Sequence, residues 1–352
     1  MAQHHPDPLP LHAASAEAEH RADLVPVVLR LLVAHARTHA KDPSGLVRGL
    51  GFELADLDSP LLRVSYRQCA ETIRRAMVLM PSPHLGLEIG EALKVVSLGK
   101  VGLGMMASEN SHRMFDFLIA FPQSAGCLLS LHSESTARHF AVVAQPLFHH
   151  PELQRFLVGY TLAALASLAR QIVGPDGRPI SVELALPPPA GTAAYEQAFG
   201  RVPAFGRPTH RLVFAPEAQP LPSAEPSVAR AMQEGLQAAR AAQPVAEVGA
   251  AVAQIIRKHQ GTPPPLAQVA RALNMSERSL RRRLCEEGLS FRGLIADDRR
   301  IRTLNLVTQS DASMTQVATR SGYTSARSLR RAVNRWTGDA PAHLRKMAQR
   351  PE

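Results

Sequence analysis

The chain has 352 residues, which is enough for two domains on the usual scale of about 100–200 residues each. Its 45% apolar and 20% charged residues are typical of a globular protein, and it shows no collagen-like, mucin-like or prion-like bias. The three cysteines, Cys69, Cys127 and Cys285, are widely spaced and include no CxxC pair. This spacing argues against a disulfide framework and fits a reducing cytosol.

The N-terminal segment lacks a basic stretch followed by an apolar run, so we predict a flexible tail over residues 1–21 in place of a secretory signal. The longest uncharged stretches, 117–133 and 156–169, are too short or too polar for a membrane span of about 20 apolar residues. We therefore expect a soluble, cytoplasmic protein with no membrane partner.

The net charge of +10 is confined to one end of the chain. Residues 244–352 contain 19 Lys and Arg against 9 Asp and Glu, whereas residues 1–243 carry equal numbers of each sign. Such asymmetry indicates a polyanionic partner for one domain only. Of the 19 cationic residues, 17 are Arg, whose planar side chain suits guanine edges and phosphates better than that of Lys.

The first domain is predicted to be α+β, with helices packed around a small sheet. Helical spacing of apolar residues predicts four helices, with a kink or break at Pro122 in the third: 22–40, 65–80, 111–131 and 151–173. Alternating or strand-like composition predicts three strands: 136–148, 178–187 and 210–216. We place this domain over residues 22–220.

A Pro-rich stretch, 216–226, leaves this domain and is followed by a predicted helix over 227–242. Its apolar stripe consists of Val228, Met232, Leu236 and Ala239. The helix could join the domains or pair with its copy in a dimer. Pro244 marks the predicted boundary, so that residues 221–243 form a linker with this helix and residues 244–352 form the second domain.

The second domain contains an internal repeat. The tripeptide QVA occurs at 268–270 and again at 316–318, and the pentapeptide RSLRR occurs at 278–282 and again at 327–331. The two spacings, 48 and 49 residues, differ by one position. Because an internal repeat determines the architecture, this domain is predicted to contain two copies of one structural unit.

Each copy has the pattern helix, short turn, helix. In the first, Ser276 is a predicted cap, and Leu280 and Leu284 point to the core. In the second, Ser313 is a predicted cap and Gly322 permits the turn. Three further residues are predicted to form the core of its second helix: Leu329, Val333 and Trp336.

The segment between the copies predicts one long helix. Five of its residues are expected on the apolar side: Phe291, Leu294, Ile295, Ile301 and Leu304. The domain is therefore predicted to be all-α, with two helix-turn-helix units.

The repeated arginines favour DNA recognition. Arg278, Arg281 and Arg282 share one helix face, and the second copy repeats that face. In a helix-turn-helix unit the second helix enters the major groove, and its side chains reach base edges. An Arg that bonds both guanine O6 and N7 contributes about 1–3 kcal/mol of discrimination. The alternative is a merely solvated helix face, which two copies at matched positions disfavour.

Residues 248–349 closely resemble the DNA-binding domain of the AraC family of bacterial regulators. The resemblance lies in QVARALNMSERSLRRRL, in the connecting helix and in QVATRSGYTSARSLRRAVNRWTGDAPAHLRK. It implies base-contacting positions in both units, to which we add the serines that begin the two helices. The predicted DNA-contacting set is Ser276, Arg278, Arg281, Arg282, Ser325, Ala326, Arg327, Ser328, Arg330 and Arg331.

The first domain is similar to the arabinose-binding-like sensor domain of the same family. The similar segments are LGLEIGEALKVVSLGKVGLGMMASENSHRMFDFL and YEQAFGRVPAFGRPTHRLVFAPEAQPLP. The resemblance implies a small-molecule effector and a homodimer. It also implies contact with RNA polymerase at promoter DNA, more commonly in activation than in repression. It names neither the effector nor its pocket.

The cysteines and histidines could indicate other kinds of site. Cys127 invites comparison with the nucleophile of amidotransferase-like domains, but it falls in a helical pattern and reads as a core residue. Cys285 is expected to be partly buried. No HExxH or Cys/His spacing predicts a metal, and no cofactor is expected.

We therefore predict a ligand-responsive transcription regulator without enzymatic activity. The alternatives are a regulator with an enzyme-like first domain in which Cys127 is the nucleophile, and an effector-independent DNA binder.

Overall fold

A computed structural model describes residues 16–241, 245–259, 263–273, 275–287, 289–310 and 312–348. The chain forms two compact units, and the boundary between them in the sequence falls between Ala246 and Glu247. Most of the predicted tail over 1–21 and the predicted boundary at Pro244 lie outside the described residues. In the described part of that tail, Arg21–Ala22 is a short strand.

The first unit is α+β, as predicted. Its helices are α1 (Ala16–Glu19), α2 (Val27–Thr38), α3 (Tyr66–Leu79), α4 (Leu85–Glu91), α5 (Lys100–Met106), α6 (Ser111–Ala120), α7 (Pro122–Ala125), α8 (Gln154–Val173), α9 (Ala193–Phe199) and α10 (Pro226–Ala241). Its strands are β1 (Arg21–Ala22), β2 (Leu129–Ser135), β3 (Phe140–Pro146), β4 (Ser181–Leu184), β5 (Ala204–Phe205), β6 (His210–Phe214) and β7 (Val245–Ala246).

Five strands form the main sheet in the order β2-β3-β6-β4-β5. All neighbours are antiparallel except β4 and β5, which are parallel. Strand β3, an inner strand of the sheet, is buried from Phe140 to Ala144, because α8 packs against the sheet. A separate two-stranded ladder pairs β1 with β7, so that Arg21 lies opposite Ala246 and Ala22 opposite Val245.

Helix α8 is the centre of the core, and it is buried on every side from Phe156 to Ala169. Among the described residues, Pro151–Val173 alone is long and apolar enough to cross a membrane, but 78% of its most apolar window is buried inside the unit. An all-round apolar helix of this kind is a core helix. Its apolar surface is therefore already covered by protein.

The contact between α4 and α8 explains the Leu-Gly pattern at 85–90. Gly86 and Gly90 face α8, and a methyl group at either position would overlap the backbone oxygen of Phe156 or Tyr160. Beside these glycines, Leu85, Leu87 and Ile89 are buried. The glycines thus let two helix backbones approach closely while the larger side chains fill the surrounding core.

The predicted helix over 111–131 is wrong beyond its first half. The chain forms α6, breaks at Phe121 before Pro122 as expected, forms the short α7, and then turns at Gly126 into strand β2. Leu129 pairs with Pro146 and Leu131 with Ala144. The apolar run therefore reflects burial within a sheet, which spacing alone does not distinguish from burial within a helix.

The apolar stripe predicted on α10 is partly used within the first unit. Leu236 is buried in the core and Met232 is half-buried, because α10 packs against α5. The other two residues of the stripe, Val228 and Ala239, are exposed. Pairing of α10 with its copy in a dimer stays a prediction.

The second unit is all-α. Its helices are α11 (Glu247–Lys258), α12 (Leu266–Ala272), α13 (Glu277–Glu286), α14 (Phe291–Gln309), α15 (Met314–Arg320), α16 (Ala326–Thr337) and α17 (Pro341–Ala348). The buried residues form two separate small clusters. One lies among α11, α12, α13 and the first half of α14, and the other among the second half of α14, α15, α16 and α17.

Replacement of Gly90 by Ala should destabilise the first unit. The added methyl group meets the Tyr160 backbone oxygen and the Ala163 side chain, and overpacking of this kind costs about 1–3 kcal/mol. The expected decrease in melting temperature is about 2–4 °C for each kcal/mol. Gly191→Ala is the control, because no atom lies within 4 Å of its added methyl group. Equal melting temperatures for the two variants would contradict the close α4–α8 contact.

Candidate nucleic-acid interface

The first helix-turn-helix unit consists of α12 and α13. Ser276 is the N-cap of α13, and its hydroxyl accepts a 3.1 Å hydrogen bond from the Ser279 backbone N–H. Leu280 and Leu284 are buried on the inner face of α13. Because the core fixes this face, the opposite face of the helix is presented to solvent.

The second helix-turn-helix unit, which consists of α15 and α16, repeats this arrangement. Ser313 caps α15 as predicted, and Gly322 adopts a left-handed φ of 70° in the turn. The second helix, α16, begins at Ala326, with Ser325 as its N-cap. Leu329 and Val333 are fully buried, whereas Trp336 is only partly buried against them.

The two turns have the same hydrogen bond. The Met275 backbone N–H donates to the Ala270 oxygen at 2.8 Å, and the Tyr323 N–H donates to the Ala318 oxygen at 2.8 Å. Ala270 and Ala318 are the alanines of the two QVA motifs, and both are buried. The sequence repeat is therefore a repeat of backbone geometry, which places the two arginine sets at equivalent positions.

The predicted arginines all lie on the solvent-facing sides of α13 and α16. All six are exposed: Arg278, Arg281, Arg282, Arg327, Arg330 and Arg331. In α13, Arg281 lies 3.9 Å from Glu277 and Arg282 lies 2.8 Å from Glu286. Exposed pairs of this kind contribute only about 0–1 kcal/mol, so a phosphate or a base edge can replace the glutamate at little cost.

The predicted serines first of all serve the helices that carry them. Ser328 N–H donates to Ser325 Oγ at 3.2 Å, and Ser328 Oγ donates to the Ser325 backbone oxygen at 2.7 Å. Ser276 Oγ lies 2.9 Å from Ser279 Oγ. Ala326, at the first turn of α16, is partly exposed. As DNA contacts, these four positions stay predictions.

Helix α14 joins the units and departs from the predicted apolar side. Leu294 and Val307 are buried, but Ile301 between them is 45% exposed. The reason is that the two ends of α14 enter different cores, so no single apolar stripe runs along it. The middle turn is charged, and Asp298 and Arg302 form a 2.7 Å ion pair there. Burial raises the pKa of the Asp298 carboxyl, and Arg302 opposes that shift.

The first unit has a shallow, solvent-open cleft at the junction of α6, the end of α8 and the segment that follows β6. Its apolar floor includes Phe115, Ala169, Val173 and Phe214, and the carboxylates of Asp176 and Glu217 line it as well. No Lys or Arg is among the described residues that line it. These residues lie far apart in the sequence and form no local motif, so no sequence pattern predicts the cleft.

The cysteines are placed differently from expectation. Cys127 lies in the turn between α7 and β2, outside any helix. Burial raises the pKa of its thiol to about 12, which is the opposite of nucleophile activation. Cys285 is exposed on α13, so the expectation of partial burial is wrong. Among the described residues, no cluster of three His, Cys, Asp or Glu side chains could hold a metal ion.

Two helix-turn-helix units with matched basic faces, beside a separate α+β unit, define a DNA-binding transcription regulator. Residues 41–223 match the arabinose-binding N-terminal domain of AraC transcription regulators, and residues 269–347 match a helix-turn-helix domain family. The chain belongs to the AraC family of transcription regulators, with an N-terminal ligand-binding domain and a C-terminal DNA-binding domain.

Several known proteins are similar over most of the chain. The ornithine utilization regulator of Pseudomonas aeruginosa is 29% identical over 296 residues, which is 82% of this chain and 86% of that protein. The regulator VirS of Mycobacterium tuberculosis is 26% identical over 345 residues, 92% of this chain and 91% of that protein. The crystal structure of CdpR from P. aeruginosa gives a TM-score of 0.46 at 21% identity, covering 91% of this chain and 98% of that one.

Thiol labelling of the native protein should modify Cys285 and spare Cys127 and Cys69. Cys285 is exposed, whereas burial raises the pKa of both other thiols and leaves little thiolate to react. Titration with a disulfide reagent is expected to give one rapid thiol per chain, and three after unfolding. The Cys285→Ser variant should give none before unfolding. Rapid modification of Cys127 in that variant would instead favour a nucleophilic role for this residue.

Proposed function

We propose that this regulator reads promoter DNA with α13 and α16, each placed in a major groove. The main support for this proposal is that the two helix-turn-helix units share the same turn geometry and present exposed arginines at equivalent positions. The whole excess of positive charge lies in residues 244–352, which supports phosphate attraction around these faces. The proposed DNA-contacting set is the ten residues named from the sequence.

Within the two arginine sets, Arg281 and Arg330 are proposed to differ in role from the other cations. Arg281 and Arg330 occupy the same position in the repeat, in the first half of the helix that faces solvent. Side chains near the N-terminal half of a recognition helix reach base edges. We assign these two to base reading, and we assign the remaining positive charge to phosphate contacts, which position the protein without reading sequence.

Arg281→Ala and Arg330→Ala should each relax base preference in a different half of the operator. The expected loss is about 1–3 kcal/mol for the preferred base, and the effects should be nearly additive because the residues lie in separate units. The measurement is selection of binding sites from random DNA, followed by titration of single-base variants. Arg230→Ala, an exposed arginine on α10, is the control. Equal weakening on all sequences would make the residue a phosphate contact and contradict this assignment.

We further propose that the effector occupies the cleft of the first unit and carries a positive charge beside a small apolar group. The apolar floor suits the second feature, and the Asp176 and Glu217 carboxylates suit the first. Both carboxylates are exposed, and within the described residues neither has an ion-pair partner. A cation bound there therefore gains two charge interactions without displacing an existing one.

The cleft also lies on a segment suited to transmit binding. Its wall includes Ala215 and Gln219, at the start of a stretch that leads directly into α10. Along this stretch the Ser111 N–H donates to the Gln219 oxygen at 2.9 Å, and the Glu225 N–H donates to the Ala107 oxygen at 3.0 Å. A ligand that contacts this wall can favour one arrangement of the segment over another, which is how binding shifts a conformational population.

Charge-matched probes test this site in the full-length protein. Benzylamine should raise the melting temperature, because a ligand bound at a hundred times its Kd stabilises the folded state by about 2.7 kcal/mol. Benzyl alcohol should raise it less, and benzoate should have no effect. The double variant Asp176→Asn, Glu217→Gln should bind benzylamine more weakly, by up to about tenfold, since each exposed charge pair that is lost contributes about 0–1 kcal/mol.

The control for this experiment is Glu196→Gln, which removes an exposed carboxylate on α9. It should leave the binding of benzylamine unchanged. Equal stabilisation by benzoate, or benzylamine binding that survives the double substitution, would contradict the cleft assignment. Promoter output that is independent of every metabolite would favour an effector-independent DNA binder.

Further parts of the proposal follow from membership of the family. We expect the protein to act in the cytoplasm as a homodimer, to activate transcription through contact with RNA polymerase, and to have no enzymatic activity. We retain a division into a tail (1–21), an effector-binding and dimerisation domain (22–220), a linker helix (221–243) and a DNA-binding domain (244–352). The raised pKa of Cys127 supports the absence of a cysteine nucleophile.

A further inference from the structure

The two helix-turn-helix units have separate hydrophobic cores. The first core contains Leu294, and the second contains Val307, both from α14. Among the described helices of this unit, α14 alone contributes to both cores. The angle between α13 and α16 therefore depends on how firmly each core is held to this one helix.

Arg302 ties the middle of α14 to the first core. Its guanidinium donates to three backbone oxygens at the end of α11, those of Ile256 at 2.8 Å, Arg257 at 3.1 Å and His259 at 2.9 Å. Its Nε lies 2.7 Å from Asp298, whose side chain is only 12% exposed. A cation at a helix C-terminus satisfies the unpaired carbonyls and interacts favourably with the helix dipole.

Arg299, one turn earlier on α14, connects this helix to the second helix-turn-helix unit. Its Nε donates to the Ser321 oxygen at 2.8 Å, and its Nη2 donates to the Gly322 oxygen. The guanidinium also lies over the Tyr323 ring, 4.8 Å from its centroid. These three residues form the turn between α15 and α16. A side chain at Gly322 would occupy the space that the guanidinium fills.

The two ties cross. Arg299 comes first in the sequence but forms hydrogen bonds to the second helix-turn-helix unit. Arg302 comes later and forms hydrogen bonds to the core of the first helix-turn-helix unit. Bending or twisting of α14 between the units would have to break one set of these bonds. Both sets end on backbone oxygens, whose positions are fixed by the helices and turns that carry them.

We propose that Arg299 and Arg302 form a clamp that fixes the relative orientation of the two recognition helices, and that this clamp determines which separation of the operator half-sites the protein accepts. The proposal rests on the proposed function, in which α13 and α16 both read DNA. One inserted base pair moves the second half-site by about 3.4 Å and rotates it by about 34°. A rigid pair of helices cannot follow that change, whereas a loosened pair can.

The experiment measures affinity for operators that differ only in the separation of their halves. Binding-site selection with the wild-type full-length protein first defines the operator, and one or two base pairs are then inserted or deleted between its halves. The wild-type protein should lose at least tenfold in affinity for each change. Arg299→Ala and Arg302→Ala should each reduce that penalty to threefold or less. Arg302→Lys, which keeps one donor group, should give an intermediate penalty.

The ratio of affinities separates a clamp from a general effect on stability. A residue that only stabilises the fold would lower affinity for every operator and leave the ratio unchanged, and that result would overturn the proposal. Arg300→Ala is the control, because the one ion pair that Arg300 makes with the described residues is with Asp297 on the same helix, at 3.6 Å. Its ratio should remain that of the wild type.

A separate measurement keeps the two proposals distinguishable. Each clamp variant is titrated against DNA that carries a single half-site. Wild-type base preference within the half-site, together with a wild-type spacing penalty, would overturn the clamp and leave the DNA-reading proposal intact. Loss of base preference in Arg281→Ala without any half-site dependence would instead contradict the DNA-reading proposal.

Discussion

The small size of each helix-turn-helix core is the constraint on which the DNA-binding unit depends. Five residues are fully enclosed in the second core, Val307, Val317, Ala318, Leu329 and Val333. A cluster of that size can hold three short helices together, but it offers no surface with which to hold a neighbouring unit. Hydrogen bonds from arginine side chains to backbone oxygens therefore connect segments that lie far apart in the sequence. Arg345 makes two more such bonds, to the Val307 oxygen at 3.0 Å and to the Ala312 oxygen at 2.9 Å. Arginine is suited to this role because its planar group donates several hydrogen bonds at once.

The first unit is organised in the opposite way. Its single large core surrounds α8, and its helices approach one another closely enough that glycine is required at the α4 contact. Such a core is rigid, so adjustment is more readily accommodated at its edge, where β6 ends and the chain crosses to α10. The carboxylate-lined cleft lies at that edge. The first unit is therefore stabilised by close packing in one large core, whereas the second unit combines small cores with exposed charge.

The features that the sequence predicted correctly are local ones. The QVA and RSLRR motifs, the caps Ser276 and Ser313, and the turn at Gly322 depend on contacts within a few residues, so a pattern reveals them. The features it missed depend on distant partners. Leu129 and Leu131 form a strand because β3 lies beside them, and Ile301 is exposed because α14 enters two cores. The predicted arginines lie on the exposed faces, but the ties made by Arg299 and Arg302 reach residues 22 to 46 positions away.

The ladder between β1 and β7 gives the start of the chain an unexpected importance. Arg21 pairs with Ala246 and Ala22 with Val245, and Val245 and Ala246 are the last two residues before α11. Nearby, Glu19 Oε1 lies 2.9 Å from His150 Nε2. The polypeptide therefore enters and leaves the first unit at one place. A gene start assigned some twenty-five codons too late, or an expression fragment trimmed to the matched family segment at residue 41, would lose this pairing. Such a product could retain both cores and both recognition helices, but β7 at the end of the first unit would lose its partner strand.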